Sequence, residues 1–444
     1  MEAGAVNHHR FRRLEATPHL HRLTPPPYRK QRQRLCKAAM AWGSEPLRVV
    51  KKGDGRLTPY GFGLSGLGNG GKAALPSVLE TMIPWWQAIL PVVVPIGTYV
   101  AFLGLLAVPP IQRFALYANR VSTLLFTNLD EPERWGFAKN QVTPFKLKVP
   151  DGEVLYGWHV LPLRTYARNE NVLLKRPRGC SDDFATTDAF RILKDDPEAR
   201  VVISYYRGFG KSTGSPTETG MLVDGMAIVD YVLDTIGIPP SRVVLFGHSL
   251  GTAVTSAVAE RYASRGVDFA AIILVASFSS LPDMLSGYRI GGVIGVMRPL
   301  ATICPPLNRY FLSKFVVDKW DSAGRITEMV RAVKARAGKL RLRIIHAHDD
   351  WDIPCIEADK MFTAAVGGLV GVGVEPQRLA EMKDERTVWK GKKAFATRWE
   401  EGDVDIMEEI ISHGGHNEAL FYAPSTLALI DAFEEGSRLQ AHSQ

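Results

Sequence analysis

The segment that most constrains the fold is residues 243–256, where a short apolar run leads into Gly-His-Ser-Leu-Gly and then into a helix-forming run. A strand, a sharp turn carrying a serine and a helix form a nucleophile elbow at the C-terminal edge of a parallel sheet. Glycines two residues before and after Ser249 indicate a strained turn with no room for side chains at either position. We therefore expect Ser249 to be a nucleophile, and the backbone N–H of Leu250, at the helix N-terminus, to donate to a developing oxyanion.

A serine nucleophile needs an orienting acid and a histidine base, which follow it in this order along the chain. An apolar run ending at His346 has the pattern of a buried strand and opens into a turn with three aspartates. Its place at the C-terminal end of a strand suits the orienting acid. Asp350, four residues before Pro354, is favoured over Asp349 and Asp352, which would belong to a solvated turn.

The histidine base is expected close to the C-terminus. Residues 406–412 have the pattern of a last strand, and His-Gly-Gly-His-Asn then leads into an amphipathic helix from Glu418 to Phe433. The position between strand and helix favours His416 as the base. His413, inside or just leaving the strand, is the alternative.

These motifs together resemble the membrane-anchored α/β-hydrolase-domain lipases that act on monoacylglycerols and lysophosphatidylserine. The resemblance rests on the elbow, the segment from Tyr206 to Glu218, the Asp350 turn and His416, and it covers Trp135 to the C-terminus plus the hydrophobic segment before it. It implies the α/β-hydrolase fold, a mostly parallel sheet flanked by helices. It also implies a lipid ester as substrate and catalysis without a metal or other cofactor.

The positive charge of the chain is concentrated at its N-terminus. Residues 1–80 contain 14 Lys/Arg and 5 Asp/Glu, whereas the remainder contains 40 and 41. We interpret residues 1–80 as a disordered basic arm beside a membrane, and not as a nucleic-acid arm, because no nucleic-acid-binding module accompanies it. The Gly-x-Gly-x-x-Gly at 66–71 follows no strand and is not interpreted as a nucleotide site. The four cysteines have no metal-binding spacing and do not fix the redox compartment.

A run of 32 uncharged residues lies between Glu80 and Arg113, so residues 82–112 are predicted to form a single transmembrane segment. Trp85 and Trp86 would anchor one end at the membrane interface. A buried or interfacial helix is the alternative. The excess of Lys/Arg before the span predicts a cytosolic N-terminus and a catalytic domain on the lumenal side. The endoplasmic reticulum is the expected membrane.

Residues 135–444 are predicted to form one α/β-hydrolase domain. Residues 145–149 and 154–160 alternate around an Asp-Gly turn, which predicts a hairpin at the antiparallel edge of the sheet. The apolar insertion 285–317 is predicted to form a cap over the active site, with a pair of core helices as the alternative. The Gly-rich and then charged insertion 367–393 is interpreted as a surface loop.

One part of the expected fold is missing from the sequence. Only the strand 201–204 precedes the turn 205–210, whereas the fold needs two parallel strands here, joined by a crossover of a dozen or more residues. The His-Gly-Asn-Ala-Gly-type loop that supplies the second oxyanion donor in the family does not occur. We infer that a βα unit of about thirty residues is absent near Ser204 and Tyr205, as a truncated isoform or a mis-spliced reading frame would produce.

The sequence therefore predicts a membrane-anchored serine hydrolase that cleaves carboxylic esters of lipids, a monoacylglycerol or a lysophospholipid, through Ser249, Asp350 and His416. No nucleic-acid partner is expected. A protein depalmitoylase or peptidase on the same fold is one alternative. The other is a catalytically impaired or non-catalytic membrane protein that lacks the oxyanion loop.

Overall fold

The computed structural model describes residues 85–441, apart from 120–127, 176–191, 193–201, 205, 291–292 and 372–374. The predicted basic arm, 1–80, therefore lies outside the described residues, as do the first three residues of the predicted transmembrane segment.

Helices and strands are interleaved along the described part of the chain. The helices are α1 (Trp85–Leu106), α2 (Pro109–Tyr117), α3 (Leu163–Leu173), α4 (Glu218–Asp230), α5 (Leu250–Ser264), α6 (Leu281–Gly287), α7 (Arg298–Ile303), α8 (Pro305–Phe315), α9 (Ser322–Ala335), α10 (Ile356–Val370), α11 (Pro376–Glu385), α12 (Gly415–Glu418) and α13 (Ala423–Ala441). The strands are β1 (Val142–Lys148), β2 (Val154–Val160), β3 (Val202–Ser204), β4 (Val244–His248), β5 (Ala271–Val275), β6 (Leu340–Ala347), β7 (Thr387–Trp389), β8 (Phe395–Glu401) and β9 (Val404–Ile411).

The strands form two sheets. The smaller one has the order β1-β2-β3 and is antiparallel, and the larger one has the order β4-β5-β6-β9-β8-β7. Strands β4, β5, β6 and β9 run parallel, while β8 and β7 are antiparallel additions at one edge. This mixed, mostly parallel architecture with flanking helices agrees with the predicted fold class. The predicted β1–β2 hairpin is confirmed, with Lys148 opposite Val154 and Gly152 at φ 93° in the turn.

The two sheets are separated at the place where the sequence lacks a βα unit. Within the described residues, β3 pairs with β2, β4 pairs with β5, and no strand joins β3 to β4. Strand β5 is buried along its whole length, whereas Val244, Phe246 and His248 of β4 are half-buried. A central strand missing one neighbour is the arrangement that the inferred deletion would leave, and the deletion itself stays an inference.

Helices cover both faces of the larger sheet. On one face α5 lies against the sheet through small side chains such as Ala253 and Ala257, and α9 and α10 pack beside it. On the other face Ala428 and Ala432 of α13 pack against β5 and β6. Small residues at these positions let the helix backbones approach the sheet closely, which fixes the strand ends that form the candidate site.

The predicted transmembrane segment contains a long apolar helix, but this helix ends earlier than predicted. Helix α1 is long and apolar enough to cross a membrane. It contains Pro91 and Pro95 and ends at Leu106, six residues before the predicted end. The reason is the pair Pro109 and Pro110, which cannot continue a helix but suits the start of a new one, α2.

The interpretation of residues 367–393 as a surface loop was wrong. Helix α10 continues to Val370 with Leu369 buried, and α11 and β7 follow. The glycines were misleading because one of them serves helix packing: a Cβ at Gly368 would lie 2.7 Å from the carbonyl oxygen of Thr327 in α9. A glycine can thus permit close contact between two helices as well as a turn.

Candidate active site

Ser249 occupies a strained turn between β4 and α5. Its backbone has φ 53° and ψ −125°, a region that residues other than glycine rarely adopt. Such a conformation costs about 1–3 kcal/mol and persists only where the surroundings over-determine it. Here the Ser249 N–H donates to the carbonyl oxygen of Val275 at the end of β5 (3.0 Å), and the N–H and hydroxyl of Thr252 donate to the Ser249 carbonyl oxygen (2.9 and 2.6 Å). The hydroxyl is therefore held at the C-terminal edge of the sheet.

The two glycines that flank this turn are not equivalent. A Cβ on Gly247 would lie 2.6 Å from the carbonyl oxygen of Gly251 and 2.7 Å from the hydroxyl oxygen of Thr255. A Cβ on Gly251 would have nothing within 4 Å outside its own helix backbone. The expectation that both positions exclude a side chain is thus met at Gly247 and was wrong at Gly251.

The structure brings the three predicted triad residues together. His416 Nε2 lies 2.8 Å from Ser249 Oγ, and His416 Nδ1 lies 2.8 Å from Asp350 Oδ2. The carboxylate can only accept, so Nδ1 carries a proton and Nε2 is left to accept the hydroxyl proton of Ser249. The residues come from the ends of β4, β6 and β9, which all open at the same edge of the sheet.

Two of the aspartates in the turn, Asp350 and Asp349, have different hydrogen-bond partners. Oδ1 of Asp350 accepts from the backbone N–H groups of Asp352 and Ile353, both at 2.9 Å, which leaves Oδ2 for His416. Asp349 instead accepts from the backbone N–H of Gly415 (2.9 Å) and so holds the loop that carries the histidine. Asp350 is therefore hydrogen-bonded to His416, whereas Asp349 is bonded to the loop that carries it.

The alternative base, His413, does not reach the serine. Its side chain is 83% exposed, and its Nδ1 lies 3.4 Å from Asp349 Oδ2. The side chain of His416, by contrast, is 15% exposed. The geometry therefore places His416, and not His413, between acid and nucleophile.

Burial and pairing act in opposite directions on the acid and the base. Burial alone would raise the pKa of Asp350, but hydrogen bonds from His346 and His416 hold that pKa well below its usual range. Burial alone would lower the pKa of His416, but the hydrogen bond and the charge of Asp350 raise that pKa above its usual value. Asp350 is thus a carboxylate at neutral pH, and its charge favours protonation of the His416 imidazole.

Two further histidines support the site and were not predicted. His248 donates through Nε2 to the carbonyl oxygen of His416 (2.8 Å), and burial lowers the pKa of His248, which keeps it neutral. His346 is fully buried at the end of β6, and its Nε2 lies 3.0 Å from the carbonyl oxygen of Ile353 and 3.3 Å from Asp350 Oδ2. The only sequence signals were their positions, one beside the nucleophile and one just before the acid turn.

The predicted oxyanion donor lies at the start of α5. Leu250 is the first residue of this helix, so its N–H has no acceptor inside the helix and stands at the positive end of the helix dipole. In this fold the second donor comes from a loop that follows a neighbouring strand. That side of β4 is unpaired within the described residues.

The same edge offers one group of possible metal ligands. Asp350, Asp352 and His416 have ligand atoms within 4.8 Å of one another. Both oxygens of Asp350 are already engaged, by two backbone N–H groups and by His416. A cation in this place would compete with the hydrogen bond between acid and base.

Comparison with known proteins decides the family. The profile of the Alpha/beta hydrolase family matches residues 181–428, which is more than half of the chain. The chain belongs to this family. The predicted fold class and the ester-hydrolase class of this α/β hydrolase are confirmed with it, whereas the individual triad roles and the membrane anchor stay predictions.

The relatives of this α/β hydrolase include lipases. It is 28% identical over 188 residues to Protein ABHD12B of Homo sapiens, covering 39% of this chain and about half (51%) of that protein. It is 24% identical over 288 residues to Lysophosphatidylserine lipase ABHD12 of Danio rerio, covering 61% of this chain and 70% of that protein. A solved α/β hydrolase of Vibrio vulnificus shares 13% identity over 72% of this chain and 91% of that chain, with a TM-score of 0.41.

Proposed function

We propose that this α/β hydrolase is a membrane-anchored serine hydrolase that cleaves carboxylic esters of lipids with Ser249 as nucleophile, His416 as base and Asp350 as orienting acid. The observation that carries the proposal is the hydrogen-bond chain from Asp350 through His416 to Ser249, with 2.8 Å at each link. Acid, base and nucleophile at these distances form the arrangement that activates a hydroxyl for acyl transfer.

The reaction proceeds through an acyl-enzyme. His416 Nε2 takes the proton of Ser249 Oγ as that oxygen attacks the ester carbonyl, and the Leu250 N–H donates to the oxyanion. The imidazolium, stabilised by Asp350, then protonates the departing alcohol. A water molecule, deprotonated by His416, hydrolyses the acyl-enzyme and returns Ser249 to its free form.

Three observations support a lipid substrate beside a membrane. The relative from Danio rerio is named as a lysophosphatidylserine lipase. Residues 285–317, the predicted cap, expose large apolar side chains, among them Ile303 and Tyr310. Helix α1 has the length and composition of a membrane span. We infer a monoacylglycerol or a lysophospholipid as substrate and the endoplasmic reticulum as the location. The basic residues that precede the span favour a lumenal catalytic domain.

The separation of the two sheets supports a second candidate, a catalytically impaired form of the same enzyme. If the loop with the second oxyanion donor is absent, the loss of one donor lowers kcat about 10²- to 10³-fold. The relay of Asp350, His416 and Ser249 would still activate the hydroxyl. The chain would then be a slow hydrolase rather than an inert protein.

Hydrolysis assays with the full chain in lipid nanodiscs test the proposal. Wild type and Ser249→Ala are compared on monoacylglycerol, lysophosphatidylserine, an acyl thioester and a peptide. We expect slow hydrolysis of the lipid esters by the wild type and none above background by the variant. Ester hydrolysis that persists in Ser249→Ala would contradict the triad, and preference for the thioester or peptide would contradict the lipid substrate. A folded wild type with no hydrolysis would favour a non-catalytic protein.

A further inference from the structure

The last two turns of α1 pack against the catalytic domain. Tyr99, Leu103 and Leu106, at i, i+4 and i+7, share one face of the helix and are half-buried or buried, whereas residues 89–98 are exposed throughout. The hydroxyl of Tyr99 donates to the carbonyl oxygen of Val296 in the cap (3.0 Å). The cap therefore lies beside the end of this helix and not beyond it.

Helix α2, which follows α1, contacts the C-terminal end of the predicted cap. The Gln112 side chain donates to the carbonyl oxygen of Phe315 (3.0 Å) and accepts from the N–H of Val317 (2.8 Å). Arg113 pairs with the carboxylate of Asp318 at 3.1 Å. The predicted cap is thus joined to α1 at Val296 and to α2 at its C-terminal end.

If helix α1 crosses a bilayer, nearly its whole length lies within the hydrocarbon core. Its 22 residues extend about 33 Å at about 1.5 Å per residue, and the hydrocarbon core of a bilayer is about 30 Å thick. Tyr99 precedes Leu106 by seven residues and so lies about 10 Å from the helix end. The part of the cap that contacts Tyr99 would then lie below the membrane surface.

The cap surface next to this contact is apolar and exposed. Two backbone hydrogen bonds, of 2.9 and 3.3 Å, join Ile290 and Ile294. Ile290, Val293 and Ile294, which we call the cap tip, are 52%, 82% and 63% exposed. The sequence has no charged residue between Arg289 and Arg298. An apolar segment flanked by arginines suits hydrocarbon, with the guanidinium groups at the level of the lipid phosphates.

The cap tip begins close to the catalytic turn. A Cβ at Gly287, the last residue of α6, would lie 3.8 Å from Cγ of Pro354, four residues after Asp350. Burial raises the pKa of Tyr288, and the negative charges of Asp352 and Asp350 add to this rise. Only Arg289 separates Tyr288 from the cap tip.

We propose that the cap tip inserts into the hydrocarbon of the adjacent membrane leaflet, so that a lipid ester passes from the bilayer to Ser249 without crossing bulk water. The insertion rests on the proposed membrane span of α1, and the entry of an ester rests on the proposed hydrolase function. The bilayer is the occupant that the contacts favour, because the cap tip continues from the cap segment that packs against α1.

A depth measurement tests the insertion without requiring activity. Val293→Cys in a cysteine-free full-length chain is labelled with an environment-sensitive fluorophore and reconstituted in phosphatidylcholine nanodiscs. We expect quenching by doxyl-labelled lipid and protection from aqueous iodide. The control is Val388→Cys on β7, which is similarly exposed at 65% but at the far edge of the larger sheet, and it should show the reverse. Iodide quenching at position 293, or protection without quenching by doxyl lipid, as contact with another protein copy would give, overturns the proposal.

An activity measurement tests the route of the substrate. Val293→Asp should lower hydrolysis of a long-chain monoacylglycerol in nanodiscs at least about 10-fold, because a carboxylate resists transfer into hydrocarbon. Hydrolysis of a water-soluble short-chain ester should be unchanged, and Val388→Asp should leave both rates unchanged. Equal losses on both esters, or none, overturn the route. If the wild type hydrolyses neither ester, the proposed function fails, while the depth measurement still decides the insertion.

Discussion

Strand β4 is paired on one side and unpaired on the other among the described residues. In the proposed reaction the paired side serves proton transfer, and the unpaired side serves stabilisation of the oxyanion charge. On the β5 side the strand is paired along its whole length, and the Ser249 N–H is bonded to the end of β5. On the other side β4 has no neighbour among the described residues, and β3 belongs to another sheet. The relay from Asp350 to Ser249 is built from the paired side only. The second oxyanion donor of this fold belongs to the unpaired side, so proton transfer and charge stabilisation can be tested independently.

The largest expected effect concerns the paired side. Asp350→Asn should lower kcat about 10⁴-fold, because an amide favours the wrong histidine tautomer. Asp349→Asn is the matched control, since an amide oxygen can still accept from the Gly415 N–H and the loop is kept. Steady-state kinetics on the preferred ester measure both variants. A comparable loss in Asp349→Asn, or a minor loss in Asp350→Asn, would mean that the relay does not run through Asp350.

The role of the unpaired side of β4 can be tested by inserting the βα unit that the sequence lacks. Insertion of a βα unit of about thirty residues with its Gly-rich loop between Ser204 and Tyr205 should raise kcat about 10²- to 10³-fold, the value of one oxyanion donor. The same insertion in Ser249→Ala is the control and should gain nothing. A folded insertion variant with an unchanged kcat would show that the second oxyanion donor is already present. It would also contradict the assignment of proton transfer and oxyanion stabilisation to different sides of β4.

The elbow around Ser249 follows directly from β4. For its two glycines we expect a smaller effect, on the stability of the fold. Gly247→Ala should destabilise the fold by about 1–3 kcal/mol, because its Cβ would overlap the carbonyl oxygen of Gly251. Gly251→Ala should be neutral or slightly stabilising, since alanine is the better helix former. Chemical denaturation of both variants measures the difference in free energy of unfolding. Equal destabilisation would contradict the asymmetry of the two glycines.

The smallest expected effect is a shift in the pH profile. Because the pKa of His416 is raised, the imidazole stays protonated to higher pH, and kcat/KM should reach half its maximum above pH 6.5. The charge of Asp352 contributes to this rise, so Asp352→Asn should move the midpoint to lower pH while retaining activity. The pH dependence of kcat/KM on a short-chain ester measures both. A midpoint that moves to higher pH in Asp352→Asn would contradict the proposed effect of the Asp352 charge on the pKa of His416.

Local patterns in the sequence predicted the parts of the fold whose signals are local. The elbow and the β1–β2 hairpin follow from apolar runs and turn residues, and they lie where predicted. The roles of Gly368 and Gly251 could not be predicted. A glycine can permit a turn, permit a close contact between helices, or have no steric role. Which of these applies depends on the chain segment that packs against it in the folded protein.

The supporting residues of the candidate site could not be predicted from the sequence either. Whether Asp349 or Asp350 faces His416 depends on how the turn closes on the N–H groups of Asp352 and Ile353. The contact of His346 with Asp350 joins residues four apart, but it requires the turn to fold back over the end of β6. A sequence motif specifies the residue types of a site, whereas tertiary packing selects which of the neighbouring residues take part.

The most direct measurement is the identification of the residue that a fluorophosphonate modifies in the full-length chain. Such reagents react with a serine only when a base activates its hydroxyl. We expect mass spectrometry to place the adduct on the peptide containing Ser249, and we expect no adduct in Ser249→Ala and a strongly reduced rate in His416→Ala. An adduct on a different serine, or an equal rate of modification in His416→Ala, would contradict a serine at 249 that is activated by the imidazole at 416.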